Sequence, residues 1–167
     1  MKPDRAVARR AMVGGLGAGV SLLALAAGGV HAAPMARSLP IALAAKAAEA
    51  ALSACTAQGY RVTVTIVDRE GVTRAQLVGD GAGPVSISTS RRKAYTSAAL
   101  GIPTSLMASQ PAPPVSVDPD ILPLAGGLPI VSGDQVVGAI GVGGADRSDK
   151  DEACAKAGLD SISEALK

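Results

Sequence analysis

The chain has 167 residues, the size of a single domain. Hydrophobic residues make up 48% of it and charged residues 18%, which excludes a disordered chain, a coiled coil and a collagen-like rod. Its aromatic residues are two Tyr, with no Phe and no Trp. A surface that stacks nucleic-acid bases on aromatic rings is therefore not expected. The net charge of +2 comes from basic residues near the N-terminus.

Residues 1–32 are predicted to be an export signal. An uncharged stretch of 20 residues, 11–30, follows a basic segment made of Lys2, Arg5, Arg9 and Arg10. Val30-His31-Ala32 places small residues where a signal peptidase reads them, so we expect cleavage after Ala32. An uncleaved membrane anchor is the alternative, because 20 uncharged residues can span a bilayer. Arg9-Arg10 also resembles a twin-arginine signal, with an ordinary leader as the alternative.

Cleavage would leave residues 33–167 as one domain in the periplasm or outside the cell, with no stable membrane insertion. This part carries 12 basic and 13 acidic side chains, so no nucleic-acid partner is expected. The only histidine of the chain, His31, leaves with the leader. Ser-His-Asp and Cys-His catalysis, histidine zinc sites and histidine-ligated haem are therefore excluded.

The two cysteines of the chain, Cys55 and Cys154, are predicted to form a disulfide. An even cysteine count in an exported protein favours a bond. Cys55 lies near the end of the predicted first helix and Cys154 near the start of the last, and these ends meet if the helices pack antiparallel. Two unrelated buried thiols are the alternative.

The hydrophobic pattern predicts three helices and four strands. The helices cover residues 38–59, capped by Ser38, residues 87–100, and a final segment capped by Ser148. The strands cover residues 62–66, 72–78, 128–131 and 135–142. Two hairpins in the order α-β-β-α-β-β-α predict an α+β domain, with an antiparallel sheet flanked by helices.

Three polar or irregular segments have alternative interpretations. The stretch 111–123 holds five prolines and predicts a long ordered loop or an arm, with a simple spacer as the alternative. Asp149, Asp151 and Glu152 begin the last helix, where acidic residues complement the helix dipole, so we expect capping rather than metal binding. The Gly-rich run 138–144 matches neither G-x-G-x-x-G nor a P-loop and predicts a closely approached strand.

Five ordered motifs resemble the GlcG/HbpS-like family, which also occurs as the C-terminal domain of PduO-type corrinoid adenosyltransferases. The resemblance covers about residues 39–166, and its motifs are Val67-Asp68 with Gly71, Arg91-Arg92-Lys93-Ala94-Tyr95-Thr96, residues 122–130, residues 137–142, and residues 151–155 with 157–159. It implies a profilin-like α/β/α layered domain that is commonly a homo-oligomer. It also implies binding of haem (heme), and some relatives are described as haem-degrading or corrinoid-linked. Many exported relatives have His where this chain has Val85.

The best polar cluster of the sequence lies on the second helix. Lys93 and Thr96 share one helical face, where Lys93 could meet a carboxylate and Thr96 could bond or ligate a bound group. The alternative is that Lys93 pairs with an acid such as Asp68 while Thr96 caps a strand or bonds the preceding turn. Tyr95 is assigned to the ligand site, with a core position as the alternative. Arg91 and Arg92 are interpreted as solvated or as a subunit contact.

The ligand residues predicted on these grounds are Lys93, Tyr95, Thr96, Gly126, Gly127 and Pro129. Gly126, Gly127 and Pro129 shape a loop that approaches the second helix. Two function classes follow: an exported protein that binds haem or a related tetrapyrrole without a histidine ligand, or an enzyme that acts on haem or another carboxylated small molecule with Lys93 in its site. A structural or sensory oligomer is a third possibility. No catalytic residue and no metal ligand is assigned.

Overall fold

The computed structural model describes residues 38–108 and 118–167. Within these ranges the chain forms four α-helices, four strands and a final 3-10 turn. The elements are α1 (Ile41–Thr56), β1 (Thr63–Asp68), β2 (Thr73–Val78), α2 (Pro84–Leu100), α3 (Thr104–Ala108), β3 (Gly127–Ser132), β4 (Gln135–Gly143), α4 (Ser148–Ile162) and the turn Ser163–Leu166. The predicted leader, its cleavage site and residues 111–117 of the proline-rich segment lie outside the described residues. No helix of the described part is long and apolar enough to cross a membrane.

The four strands form one sheet in the order β2-β1-β4-β3, with every neighbouring pair antiparallel. Both predicted hairpins are present, and β1 pairs with β4 to join them. Side chains alternate between the two faces of a strand, so Val64 and Ile66 of β1 point to one face and Thr63 and Thr65 to the other. Helices α1 and α4 cover the first face and α2 covers the second. The predicted α+β layered architecture is confirmed.

The hydrophobic core lies between the sheet and the pair α1–α4. It is built from aliphatic side chains without any fully buried aromatic ring, and its members include Val64, Ile66, Ile140, Val142 and the alanines of α1. Those alanines allow α1 and α4 to approach closely. At Gly158 of α4, an added Cβ would lie 2.7 Å from the carbonyl oxygen of Ala47.

The predicted disulfide is confirmed. Cys55 of α1 and Cys154 of α4 are bonded, their Cα atoms lie 5.5 Å apart, and both residues are fully buried in the core. The end of α1 therefore meets the start of α4, as expected for antiparallel helices on one face of the sheet.

Three predicted helix starts differ from the structure. Helix α1 begins after Pro40, which keeps the preceding backbone extended, so Ser38 lies too far upstream to cap it. Helix α2 begins at Pro84 instead of residue 87, because proline suits the first helical position. Ser148 is the first residue of α4 and not its cap. The five-residue α3 was not predicted, because it is too short to show periodicity.

Candidate functional site

Helix α2 packs on the sheet through hydroxyl groups and glycines instead of large apolar side chains. The hydroxyls of Thr63 and Ser86 lie 2.7 Å apart, and those of Thr65 and Ser90 lie 2.8 Å apart, all fully or almost fully buried. An added Cβ at Gly141 would overlap the carbonyl oxygen of Ser90. The missing side chains of β4 therefore let the α2 backbone approach the sheet, which positions the polar residues that follow on α2.

Lys93 forms a buried ion pair with Asp151. The Lys93 Nζ lies 2.7 Å from Asp151 Oδ2, and the two side chains are 3% and 4% exposed. Helix α2 lies on one face of the sheet and α4 on the other, so the Lys93 side chain passes the edge of the sheet where β3 begins. The predicted alternative, an acidic partner for Lys93, is the arrangement in the structure, but the acid is not Asp68. Asp68 instead accepts hydrogen bonds from the backbone of Glu70 and Val72 in the β1–β2 turn.

The environment of Asp151 has opposing effects on its carboxyl. Burial raises the pKa of Asp151 above its ordinary value, while the Lys93 ammonium and the backbone N–H groups of Ala145 and Gly144 oppose this shift. The Ala145 N–H donates to Asp151 Oδ1 over 3.0 Å. Asp151 therefore ties the loop after β4 to α2, beyond the capping role expected from its position at the start of α4.

Gly126 and Gly127 make room for this ion pair. Gly126 has a positive φ of 117°, and an added Cβ would lie 2.9 Å from Lys93 Nζ and 2.8 Å from the carbonyl oxygen of Val142. An added Cβ at Gly127 would overlap the carbonyl oxygen of Lys93. The Gly126 N–H donates to Glu152, 3.2 Å away. The loop thus approaches α2, as predicted, and covers the buried lysine.

Thr96 is fully buried and binds two segments of backbone. Its hydroxyl donates to the carbonyl of Arg92, 2.7 Å away, and accepts from the N–H of Leu122 over 2.8 Å. The first bond is the contact with the preceding turn that was the predicted alternative to a ligand-binding role for Thr96. The second anchors residues 118–122, which cross the outer surface of α2 and are called the strap below.

The strap places two carboxylates on α2. Arg91 donates to both oxygens of Asp120, at 2.5 and 3.3 Å, and the Tyr95 hydroxyl lies 3.5 Å from Asp118 Oδ2. The hydrogen bond from Arg91 lowers the pKa of Asp120 below its ordinary value. Tyr95 is half-buried, and its ring lies where a Cβ on Gly71 would touch it. Arg91 is therefore paired rather than simply solvated.

Arg92 lacks a complete set of acceptors. Its Nη2 donates to the carbonyl of Ile121 over 3.1 Å, but its buried Nε has no hydrogen-bond partner among the described residues. Buried polar groups are nearly always paired in folded proteins. Nothing in the local sequence pattern identifies Asp118, Asp120 or Ile121 as neighbours of α2, because they lie within the proline-rich segment, 23 to 29 residues after their partners on α2.

Five surface cavities of about 340 to 540 Å³ lie elsewhere on the described part of the domain. Pro129 lines one of them, about 440 Å³ in volume, together with Leu159 of α4 and the C-terminal Lys167. The other predicted ligand residues line none of these five. Close packing surrounds Lys93, Thr96, Gly126 and Gly127. The polar atoms of Arg91, Arg92 and Tyr95 instead face the strap.

The fold defines the class of protein: a small α+β domain with a four-stranded antiparallel sheet between one helix and a disulfide-bonded helix pair. The family model described as "Haem degrading protein HbpS-like" matches residues 39–160, and the chain belongs to this family. The resemblance found in the sequence motifs is thereby confirmed. None of the curated proteins compared with the chain matches it.

Solved structures with the same fold agree with this assignment. A double mutant of Streptomyces reticuli HbpS is 37% identical, with a TM-score of 0.74 over 93% of this chain and 97% of that one. A second HbpS structure is 41% identical, with a TM-score of 0.73 over 77% and 92%. A PduOC:Heme complex is 21% identical, with a TM-score of 0.70 over 75% and 96%, and this similarity shows the fold alone.

Proposed function

We propose that this chain is an exported protein that binds haem or a related tetrapyrrole without a histidine ligand. The single observation that carries the proposal is the match of residues 39–160 to a family described by haem chemistry. The PduOC relative, whose structure holds heme, has the same fold and is consistent with it. The half-buried side chains of Arg91, Arg92 and Tyr95 on α2 supply hydrogen-bond donors that suit a ligand with carboxylates.

Few side chains of the chain can serve as an axial ligand of haem iron. Imidazole and thiolate are common axial ligands of haem iron. The only histidine is His31, and both cysteines are consumed by the disulfide. Met107 is buried, and the remaining oxygen donors include Tyr95. The side chains of the chain are therefore better suited to binding the carboxylates of a porphyrin than to ligating its iron. We expect haem to bind weakly and without a histidine ligand.

We propose that the ligand lies against α2 and the loop that begins β3. Tyr95 would contact it directly, because this ring is half-buried and bordered by the strap. Lys93, Thr96, Gly126 and Gly127 would shape the site from below, since their contacts hold α2, the strap and the loop in place. Pro129 continues this loop into β3.

We propose that residues 1–32 direct export and that residues 33–167 form one domain in the periplasm or outside the cell. The disulfide supports this location, because such bonds form and persist in oxidising compartments. We also propose a homo-oligomer, as the family resemblance implies. Exposed apolar side chains near the start of α2, Val78, Val85 and Ile87, are available for subunit contacts. Light scattering of the exported protein tests the assembly, and a monomer at all concentrations would contradict it.

An enzyme is the second candidate, because the family description names haem degradation. In this alternative the charged Lys93 acts on haem or another carboxylated molecule. Its ammonium is buried and ion-paired with Asp151, so a substrate could reach it only after the loop at Gly126 moves. Incubating the purified protein with hemin and a reductant under air tests this alternative. Loss of the Soret band in the presence of catalase would support the enzyme if a Lys93→Met variant, shown by circular dichroism to be folded, leaves the band intact.

A hemin titration of tag-free exported protein in an imidazole-free buffer tests haem binding. We expect a saturable Soret shift with a high-spin spectrum, because no imidazole is available to complete a low-spin iron. Exchanging Tyr95 for Phe tests direct contact, with Tyr60→Phe as the matched control on a different surface. No saturable shift would reject the function, and a low-spin spectrum typical of two histidine ligands would reject the ligation.

A further inference from the structure

The outer surface of α2 concentrates hydrogen-bond donors. Arg91 and Tyr95 stand one helical turn apart, and Arg92 lies beside them. Arg91 and Tyr95 point at carboxylates of the strap, and Arg92 points at the neutral carbonyl of Ile121. These three side chains are called the donor cluster below. Each guanidinium group can bind one carboxylate through a bidentate pair of hydrogen bonds. With two arginines, the cluster is therefore suited to a ligand that carries two carboxylates.

The acids that now occupy the cluster are held loosely. Arg91 and Asp120 are each 39% exposed, and ion pairs with this exposure contribute little to stability. The Tyr95 contact to Asp118, at 3.5 Å, lies at the long limit of a hydrogen bond. Other carboxylates can therefore compete with Asp118 and Asp120 for the same donors.

The donor cluster also has more donors than the strap satisfies. The Arg92 Nε is buried without a partner among residues 38–108 and 118–167, and the Nη2 of Arg92 bonds a neutral acceptor. A buried donor without an acceptor costs free energy that a correctly placed acceptor would recover. An added carboxylate could supply two oxygens where the strap supplies one carbonyl.

We propose that Arg91, Arg92 and Tyr95 form a binding site for a dicarboxylate ligand, and that Asp118 and Asp120 occupy this site as internal competitors until the ligand displaces them. This inference rests on the proposed function in one respect: it identifies the paired carboxylates of a tetrapyrrole as the natural ligand of the cluster. A small dicarboxylic acid carries the same chemistry, and the experiment separates the two.

The test compares ligands with and without free carboxylates. Metal-free protoporphyrin IX, its dimethyl ester and glutarate are titrated into the exported protein, and fluorescence and the side-chain Nε–H signals of Arg91 and Arg92 in NMR spectra report binding. We expect the free acid to bind about tenfold more tightly than the ester and to shift the Arg92 Nε–H signal. Binding by glutarate without porphyrin would keep the site and reject the tetrapyrrole function.

Substitutions distinguish the competing carboxylate of the strap from the donor cluster that binds the ligand. Asp120→Asn should tighten binding of protoporphyrin IX by about tenfold, because a charged competitor is removed, and Arg92→Gln should weaken it by about as much. The exposed pair Lys156–Asp160 on α4 provides matched controls, Asp160→Asn and Lys156→Gln, that should change neither value. Circular dichroism checks that each variant folds.

Two results would overturn the inference. Equal affinity for protoporphyrin IX and its dimethyl ester, with no effect of either α2 or strap variant, would reject the carboxylate site while leaving tetrapyrrole binding intact. Absence of binding by protoporphyrin IX and by glutarate, in the wild type and in Asp120→Asn, would reject the site and the tetrapyrrole function together.

Discussion

Lys93 of α2 and Asp151 of α4 form an ion pair that joins helices on opposite faces of the sheet. The pair is buried, so its contribution depends on both charges being present: removing one partner leaves the other without compensation in a medium that solvates it poorly. The glycines at 126 and 127 leave the space through which Lys93 reaches Asp151.

Exchanging Asp151 for Asn, or Lys93 for Met, should lower the free energy of unfolding by about 3–5 kcal/mol each, because one buried charge loses its partner. The double variant should cost much less than the sum of the two. Chemical denaturation of the four proteins measures this coupling. As a control, the same cycle on the exposed Lys156–Asp160 pair should give about 0–1 kcal/mol. Additive costs at Lys93 and Asp151 would contradict the interpretation.

Asp151 and Asp120 should titrate on opposite sides of the ordinary carboxyl pKa of 3.8. Burial raises the pKa of Asp151, so its carboxyl should take up a proton at a higher pH than an ordinary aspartate does. The hydrogen bond from Arg91 lowers the pKa of Asp120. The stability that this carboxylate contributes is therefore present above pH 3.8 and is lost as the pH falls through the folded-state pKa. Carboxyl carbon NMR measures both midpoints, and coincident midpoints would argue against these environments.

Alanine at position 126 should be more destabilising than alanine at position 59. Both glycines have positive φ, at 117° and 80°, so both variants share the backbone strain. Gly126 faces Lys93 Nζ, Asp151 and the Val142 carbonyl, whereas a Cβ at Gly59 meets nothing within 4 Å. The difference, measured by chemical denaturation, should be about 1–3 kcal/mol of overpacking. Equal losses of unfolding free energy in the two variants would mean that the loop at Gly126 moves aside without an energetic penalty.

Removing the disulfide should lower stability by up to about 4–5 kcal/mol in the chain-entropy account, because the bond closes a long loop. Cys55 and Cys154 are 99 residues apart. The double variant Cys55→Ala/Cys154→Ala, compared with wild type in chemical denaturation, measures the effect. Thiol titration of the denatured, unreduced exported protein should detect no free thiol, and two would disprove the bond.

Mass spectrometry of the exported protein should find Ala33 as its first residue. The basic segment, the uncharged stretch and the small residues at positions 30 and 32 predict this cleavage. Exchanging Arg9 and Arg10 for Lys should block export only if the twin-arginine route is used. Mature protein that still carries residues 1–32 would contradict the leader.

Local patterns were sufficient to predict most of the fold. Alternating residues such as Val64 and Ile66 identify a strand with one apolar face, and the short polar turns between strands identify hairpins. The disulfide was predictable because the chain has only two cysteines, whose positions on the helices follow from the helix boundaries. Helix starts were less accurate, since Pro40 and Pro84 impose backbone geometry that hydrophobic periodicity does not reveal.

The sequence by itself determined the element order, the family motifs and the helical face shared by Lys93 and Thr96, because each is written in neighbouring residues. Only the tertiary structure decided which acid meets Lys93. Asp68 and Asp151 were both available, and Asp151, 58 residues away, was selected because Gly126 and Gly127 leave a passage at the edge of the sheet. The carboxylates of Asp118 and Asp120 likewise contact Tyr95 and Arg91 because the chain folds back across α2 at the strap. This arrangement depends on long-range packing and not on any local sequence pattern.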